Sequence, residues 1–231
     1  MAISIDNVYQ QVLAIANKEQ RGYITPQEFN LFARKAQLDI FEITFHDYKM
    51  ALLKPQTQVK LADDIDMLKE KIAIFKTHGA TLSVSTATGT IPSDLHWLEN
   101  IYSSSSYYEE VDKADWLYIT SGGLKIKPSA SRPVFYRKGN VTVELNPAPG
   151  GDLLLDYVKK PLDPSWTYNV VNDRALLNAS ASDYQDFQLH ASEEGSLVNK
   201  ILELSGIALE NPGLAEVALR NEATNEADKN N

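Results

Sequence analysis

A proline-bearing helix start at residues 25–28 constrains this chain more than any other stretch. In Thr25-Pro26-Gln27-Glu28 the threonine suits a helix cap, and proline suits the first helical position because its missing N–H would be unpaired there anyway. Glu28 stands where its carboxylate reaches back to the cap's amide, a capping box, and Ile24 and Phe29 are placed to staple the turn that leads in. With the tight corner Arg21-Gly22-Tyr23-Ile24 before it, residues 5–53 read as two helices meeting at an angle.

The first helix carries Ile5, Val8, Val12 and Ile15 at spacings of three and four, one apolar stripe opposite Asp6, Asn7, Gln10 and Gln11. The second runs from Thr25 to about Leu53, roughly 40 Å at 1.5 Å per residue, and ends at Lys54-Pro55, since proline disfavours helical geometry in the residue before it. Its apolar residues form two stripes. Phe29, Phe32, Ala36, Ile40 and Ile43 make one; Leu38, Phe41, Phe45, Tyr48 and Leu52 make the other. A helix apolar on two sides needs two partners, so Phe41, Phe45 and Tyr48 are candidate contacts with a neighbouring subunit. A third helix carries Leu61, Ile65, Leu68, Ile72 and Phe75, with acids early, Lys76 and His78 late, and Gly79 as its cap.

From Ala80 the period shortens. Leu82 and Val84 alternate with Ser and Thr, Gly89, Pro92 and Ser103-Ser104-Ser105-Ser106 cut the chain into short pieces, and residues 112–116 suit a helical turn. The clearest strands are 124–127, 134–138, 141–145 and 153–158, whose short links favour an antiparallel meander. After an extended stretch at Pro161, Pro164 and Trp166, a second capping box, Ser182-Asp183-Tyr184-Gln185, predicts a helix through Phe187, His190, Leu197, Ile201 and Leu204 to Gly206; another short helix starts at Pro212, and residues 221–231 read as a disordered tail. The expected architecture is α+β: a helical bundle of N-terminal helices (1–79) completed by C-terminal helices (167–220), with a small antiparallel β module (80–166) inserted.

Chemistry is sparse. The absence of cysteine excludes disulfides, thiolate metal sites and cysteine catalysis. The first residues lack a basic leader and no apolar run suits a signal or a membrane span, so the expectation is a reducing cytosol and no membrane contact. Residues 17–28 imitate a calcium-binding EF-hand loop, with Asn17, Glu19, Arg21, Gly22 and Glu28 in register, but Arg21 puts a cation among the ligands and the capping box already employs Glu28. His46, His78, His96 and His190 share no metal-like or catalytic spacing. Glu109, Glu110 and Asp112, like Asp63, Asp64 and Asp66, read as solvated faces, although a hydrolase using carboxylates of the β region stays open as an alternative. Ser121-Gly122-Gly123 is neither a nucleophile elbow nor a phosphate loop. No metal or cofactor is expected.

Net charge is −9, which argues against a dedicated nucleic-acid binder. Between Leu124 and Lys160, however, Lys125, Lys127, Arg132, Arg137, Lys138, Lys159 and Lys160 face only Glu144, Asp152 and Asp156, a local +4 that leaves −13 elsewhere. Three readings stand: a chance bias on solvated strands, a basic edge meeting an acidic face of the next subunit, or a basic edge facing DNA in a channel.

One further signal is a resemblance. Asp6-Asn7-Val8-Tyr9, the run Asn17-Lys18-Glu19-Gln20-Arg21-Gly22-Tyr23-Ile24-Thr25-Pro26-Gln27-Glu28-Phe29-Asn30 and Ala33-Arg34-Lys35-Ala36-Gln37-Leu38-Asp39-Ile40-Phe41-Glu42 resemble the N-terminal region of virion structural proteins of tailed bacteriophages, notably crAss-like phages. Ile91-Pro92-Ser93-Asp94-Leu95, Val111-Asp112-Lys113-Ala114-Asp115-Trp116, Pro133-Val134-Phe135-Tyr136 and Asp156-Tyr157-Val158-Lys159-Lys160-Pro161 look similar too. The likeness covers most of residues 3–165 and fades beyond. It implies a non-enzymatic ring or adaptor subunit of the head-to-tail connector or tail barrel, typically dodecameric, made in the host bacterial cytoplasm and resident in the virion. Its implied partners are other copies of itself, a portal, neighbouring tail rings and DNA passing through the lumen.

Overall fold

The computed structural model describes residues 3–18, 24–53, 59–121, 127–172 and 174–208. They form two compact units: one of Met1–Ile74 and Pro161–Asn231, the other the continuous stretch Phe75–Lys160. In the first lie α1 (Ile5–Lys18), α2 (Pro26–Leu53), α3 (Val59–Ala73), the hairpin β9 (Tyr168–Val171) and β10 (Arg174–Leu177), and α5 (Glu194–Ala208). The second holds β1 (Lys76–Leu82), β2 (Val84–Ser85), β3 (Thr88–Thr90), β4 (Leu95–Tyr102), β5 (Tyr107–Glu110), α4 (Lys113–Thr120), β6 (Val134–Lys138), β7 (Thr142–Asn146) and β8 (Leu153–Lys159).

The expected helical bundle with a small β module is therefore wrong. Eight strands join in one sheet, ordered β1-β8-β4-β5-β6-β7-β3-β2, and the chain is a mixed α and β protein. Its two edge strands, β1 and β2, are separated in sequence by Ser83 alone, so the sheet curls until its first and last strands form one bent run of chain. Nor is the sheet a pure antiparallel meander. β5 and β6 pair in parallel, Glu109 beside Val134, because the stretch between them, including α4, is long enough to cross over. Leu82, Ile101, Phe135, Val143, Leu145 and Leu155 fill the interior. Gly89 belongs there because of its size: a Cβ would stand 3.0 Å from both Leu82 and Val143 side-chain atoms.

Two features concealed the extra strands. Lys76, His78 and Gly79 imitate the end of a helix, yet α3 stops at Ala73 and these residues open β1, where Gly79 at φ +68° makes a bulge against β8. β4 carries two such irregularities, between Leu95 and Trp97 and between Leu98 and Asn100. Each inserted residue reverses which face the following side chains occupy, so the alternation that betrays a strand disappears.

In the helical unit the capping box forms as written: the Thr25 N–H donates to Glu28 at 2.9 Å, and the Glu28 N–H donates to the Thr25 hydroxyl at 3.3 Å. Ile5, Val8 and Val12 of α1 are buried with Tyr9 and Ala16, whereas Ile15 is exposed. The helix expected from Ser182 is absent. Residues 178–190 are extended or turning, and the helix begins only after a short 3-10 turn at Ala191–Glu193, capped by the His190 ring, which accepts the Ser192 N–H. The stretch from Pro161 onward is instead held as a strap by side chains of α1 and α2. Asn30 accepts the Trp166 N–H at 2.8 Å and donates to the Trp166 carbonyl at 3.0 Å. One heptad later Gln37, itself buried, donates to the Leu162 carbonyl at 2.7 Å and accepts the Gln188 N–H at 2.8 Å. The buried Trp166 indole donates to Asp6 at 2.9 Å, and Asp186 caps α1 by accepting the Ile5 N–H. The predicted helix from Pro212 and the tail 221–231 lie outside the described residues.

Candidate functional site

The most unusual surface is on α2. Its inner side buries Phe29, Ala33, Ala36, Gln37 and Ile40 against the rest of the helical unit. A polar outer side would complete an ordinary amphipathic helix. Instead Leu31, Leu38 and Leu52 stand 64%, 40% and 45% exposed, with the half-buried Phe45 between the last two. These four recur every seven residues, and seven residues fall about 20° short of two full turns, so they form one gently drifting row along the helix. Leu53, Ile43 and Met50 are exposed as well, but at about 100° per residue Leu53 lies off the row and Ile43 and Met50, also seven apart, lie on the far flank of the helix.

This row differs from the one expected. Phe41 and Tyr48 are buried within the unit and are not exposed contacts, and Phe45 stacks on Phe41 at 6.2 Å. Ile43, placed with the core by its spacing, faces out, and Leu31 was not singled out at all. The signal that would have found Leu31 is the strict heptad it begins.

The basic residues do not form one edge. Register places Arg137 and Lys138 at the same end of the curled sheet as Lys159 and Lys160, since β4 runs antiparallel to β8 and β5 runs parallel to β6. Arg132 precedes β6 at the opposite end, beside the turn closed by the Ser129 and Arg132 backbones; Lys127 is exposed, and Lys125 lies outside the described residues. Lys138 is held by Glu144 at 2.7 Å. The unit Phe75–Lys160 also takes in Asp94, Glu99, Glu109, Glu110, Asp112 and Asp115, so it contains nine basic and nine acidic residues and is neutral. The whole −9 therefore falls on the other unit. The +4 came from drawing a boundary at Leu124, through the middle of one folded unit.

Several of the other polar groups singled out in the sequence have structural roles. Glu28 is engaged with Thr25, whose hydroxyl and amide bonds hold its carboxyl below the usual range; most of the EF-hand-like loop lies outside the described residues. Asp156 sits where bulges in β1 and β4 converge on β8. It accepts the Gly79 N–H at 2.9 Å and the Tyr102 hydroxyl at 3.1 Å, with His78 at 3.6 Å. Burial pushes this carboxyl up, but those donors together outweigh burial and hold it low. The four histidines fall on different elements: His46 on α2, His78 on β1, His96 on β4, and His190 beside Ser192 before α5. Ser121 is the C-cap of α4; its two glycines lie outside the described residues. Among the described residues no buried polar side-chain atom lacks a partner, and no three acidic or histidine side chains gather as a metal site. No helix there is long and apolar enough to cross a membrane. No protein-family model matches the chain, and no curated protein matches it.

Proposed function

We propose that this chain is a non-enzymatic structural subunit of a tailed-bacteriophage particle, copies of which dock side by side as a ring at the head-to-tail connector or tail barrel. The observation that supports the reading is the outward row Leu31, Leu38, Phe45 and Leu52 on a helix whose opposite side is already buried. Leucines repeated along one line of a helix are a seam for another surface; in a lone molecule they would be left facing water. The sequence resemblance supplies the viral setting, with a portal, neighbouring tail rings and lumenal DNA as partners. Because the row is apolar and the unit that carries it holds the whole −9, docking on this reading is driven by apolar burial, and raised salt, which screens the like charge of neighbouring copies, does not weaken it.

Native mass spectrometry of the full chain tests it. The expected result is a closed multi-copy species that persists at raised ionic strength and is lost in a Leu31→Glu/Leu38→Glu variant of unchanged circular dichroism. A chain that stays monomeric at every concentration, or a variant that assembles as well as the parent, would overturn the proposal.

A further inference from the structure

Among the described residues the hairpin β9–β10 is a two-stranded sheet with no third strand on either edge. Its base is fixed: Trp166 is buried and bonded to Asn30 and Asp6, and Tyr168 stacks on Trp166 at 5.6 Å. Beyond that base it is greasy and bare, with Val170 and Leu177 exposed on one face and Val171 and Leu176 on the other. A two-stranded hairpin on its own is marginal in water. This one turns at Asn172, whose φ of +51° suits a tight hairpin turn. Its pairs run from Val171 with Arg174 to Tyr168 with Leu177, and the Asn178 N–H bonds to Thr167 at 2.9 Å. Antiparallel ladders alternate bonded and open pairs. The backbone groups of Tyr168 and Val170 therefore point away from one edge, and those of Ala175 and Leu177 from the other.

Strand edges in monomeric proteins are normally guarded by charge, bulge or shortness. The free strands of the curled sheet obey this: β1 carries Lys76, His78 and the Gly79 bulge, and β2 has two residues. Arg174 guards β10. β9, Tyr168-Asn169-Val170-Val171, has no charge, proline or bulge, which makes it the one unguarded edge among the described residues.

We infer that β9 pairs with β9 of a second copy, antiparallel across a two-fold axis through Asn169. Tyr168 then faces Val170 of the other copy and each such pair exchanges both backbone bonds, while the two Asn169 amides meet and no like charges are brought together. A second copy is the fitting occupant because it brings the same edge, the one strand among the described residues without a guard, in a register that matches itself. The contact is isologous and closes on itself, whereas ring docking through α2 joins unlike surfaces; it does not depend on the ring reading.

The test uses sedimentation velocity on full-length Leu31→Glu/Leu38→Glu protein, in which the α2 row is disabled. A dimer is expected to remain. Adding Val170→Pro removes an amide that the hairpin itself does not use and abolishes the dimer, while Val170→Thr, which keeps that amide, retains it. In unaltered protein the Tyr168 and Val170 amides exchange more slowly as concentration rises, and those of Ala175 and Leu177 do not. Absence of the dimer, a dimer that survives Val170→Pro, or Tyr168 and Val170 exchange that ignores concentration would each refute the pairing.

Discussion

Replacing Gln37 by leucine isolates the two hydrogen bonds that tie the strap to the middle of α2. Gln37 is 2% exposed, and its amide serves two backbone groups of the strap: the Leu162 carbonyl and the Gln188 N–H. Leucine has a similar size but neither donor nor acceptor, so both part-buried backbone groups lose their partner. Each buried orphan costs about 1–3 kcal/mol, and the added apolar burial returns about 1 kcal/mol. The net loss is roughly 1–5 kcal/mol, which at about 2 kcal/mol per M of urea lowers the unfolding midpoint of this unit by ~0.5–2.5 M. The chain has two units, so the melt is best followed by residue-resolved amide signals, with β4 and β8 as internal controls that should not move. Gln37→Glu sharpens the test. Its carboxylate still accepts the Gln188 N–H but faces the Leu162 carbonyl without a proton to donate, so it is destabilising at neutral pH and recovers in acid, where the protonated acid donates. A Gln37→Leu midpoint equal to the parent's, or a Gln37→Glu defect indifferent to pH, would refute the role assigned to this side chain.

Gly89→Ala places a methyl 3.0 Å from Leu82 and Val143 in a filled interior, and overpacking of this kind costs about 1–3 kcal/mol, read as a lower melting point of the sheet unit alone. Asp156 is held below its ordinary 3.8, so its contribution is full above that value and fades as pH falls through the lower folded value. Asp156→Asn should therefore flatten the acid limb of a urea-midpoint profile below pH 4, and an unchanged limb would exclude this carboxylate as its cause. Tyr184 behaves oppositely: burial, then its bond to Asp186, pushes the phenol up to about 12. The neutral form is favoured by folding, so its contribution holds below pH 10 and is lost as pH rises through about 12; Tyr184→Phe should remove that alkaline loss from the midpoint profile.

What could be read beforehand was whatever depends on near neighbours. The capping box closes between residues three apart, and β6 and β8 lie almost where their alternation puts them. The same local logic misled at Ser182-Asp183-Tyr184-Gln185, where a sound capping pattern met no helix. There Tyr184 donates to Asp186 at 2.9 Å, the Gln185 backbone pairs with Ser165, and Phe187 bridges to Ile3. Contacts from the far end of the chain outbid a cap that is worth about 1 kcal/mol. The hairpin β9–β10 escaped notice because its four-residue strands are too short to show a period.

By itself the sequence determined where α2 starts, that its apolar residues exceed one face, and that no cysteine chemistry is possible. Only the tertiary structure decided which of those apolar residues face out, sparing Leu31 and Leu38 while burying Phe41 and Tyr48, and only it divided the charge as neutral and −9. The reason is one of range. Helix starts and turns are set by bonds spanning three or four residues, whereas burial and charge grouping depend on segments such as 161–190 and 75–160 that reach their partners only after the whole chain has folded.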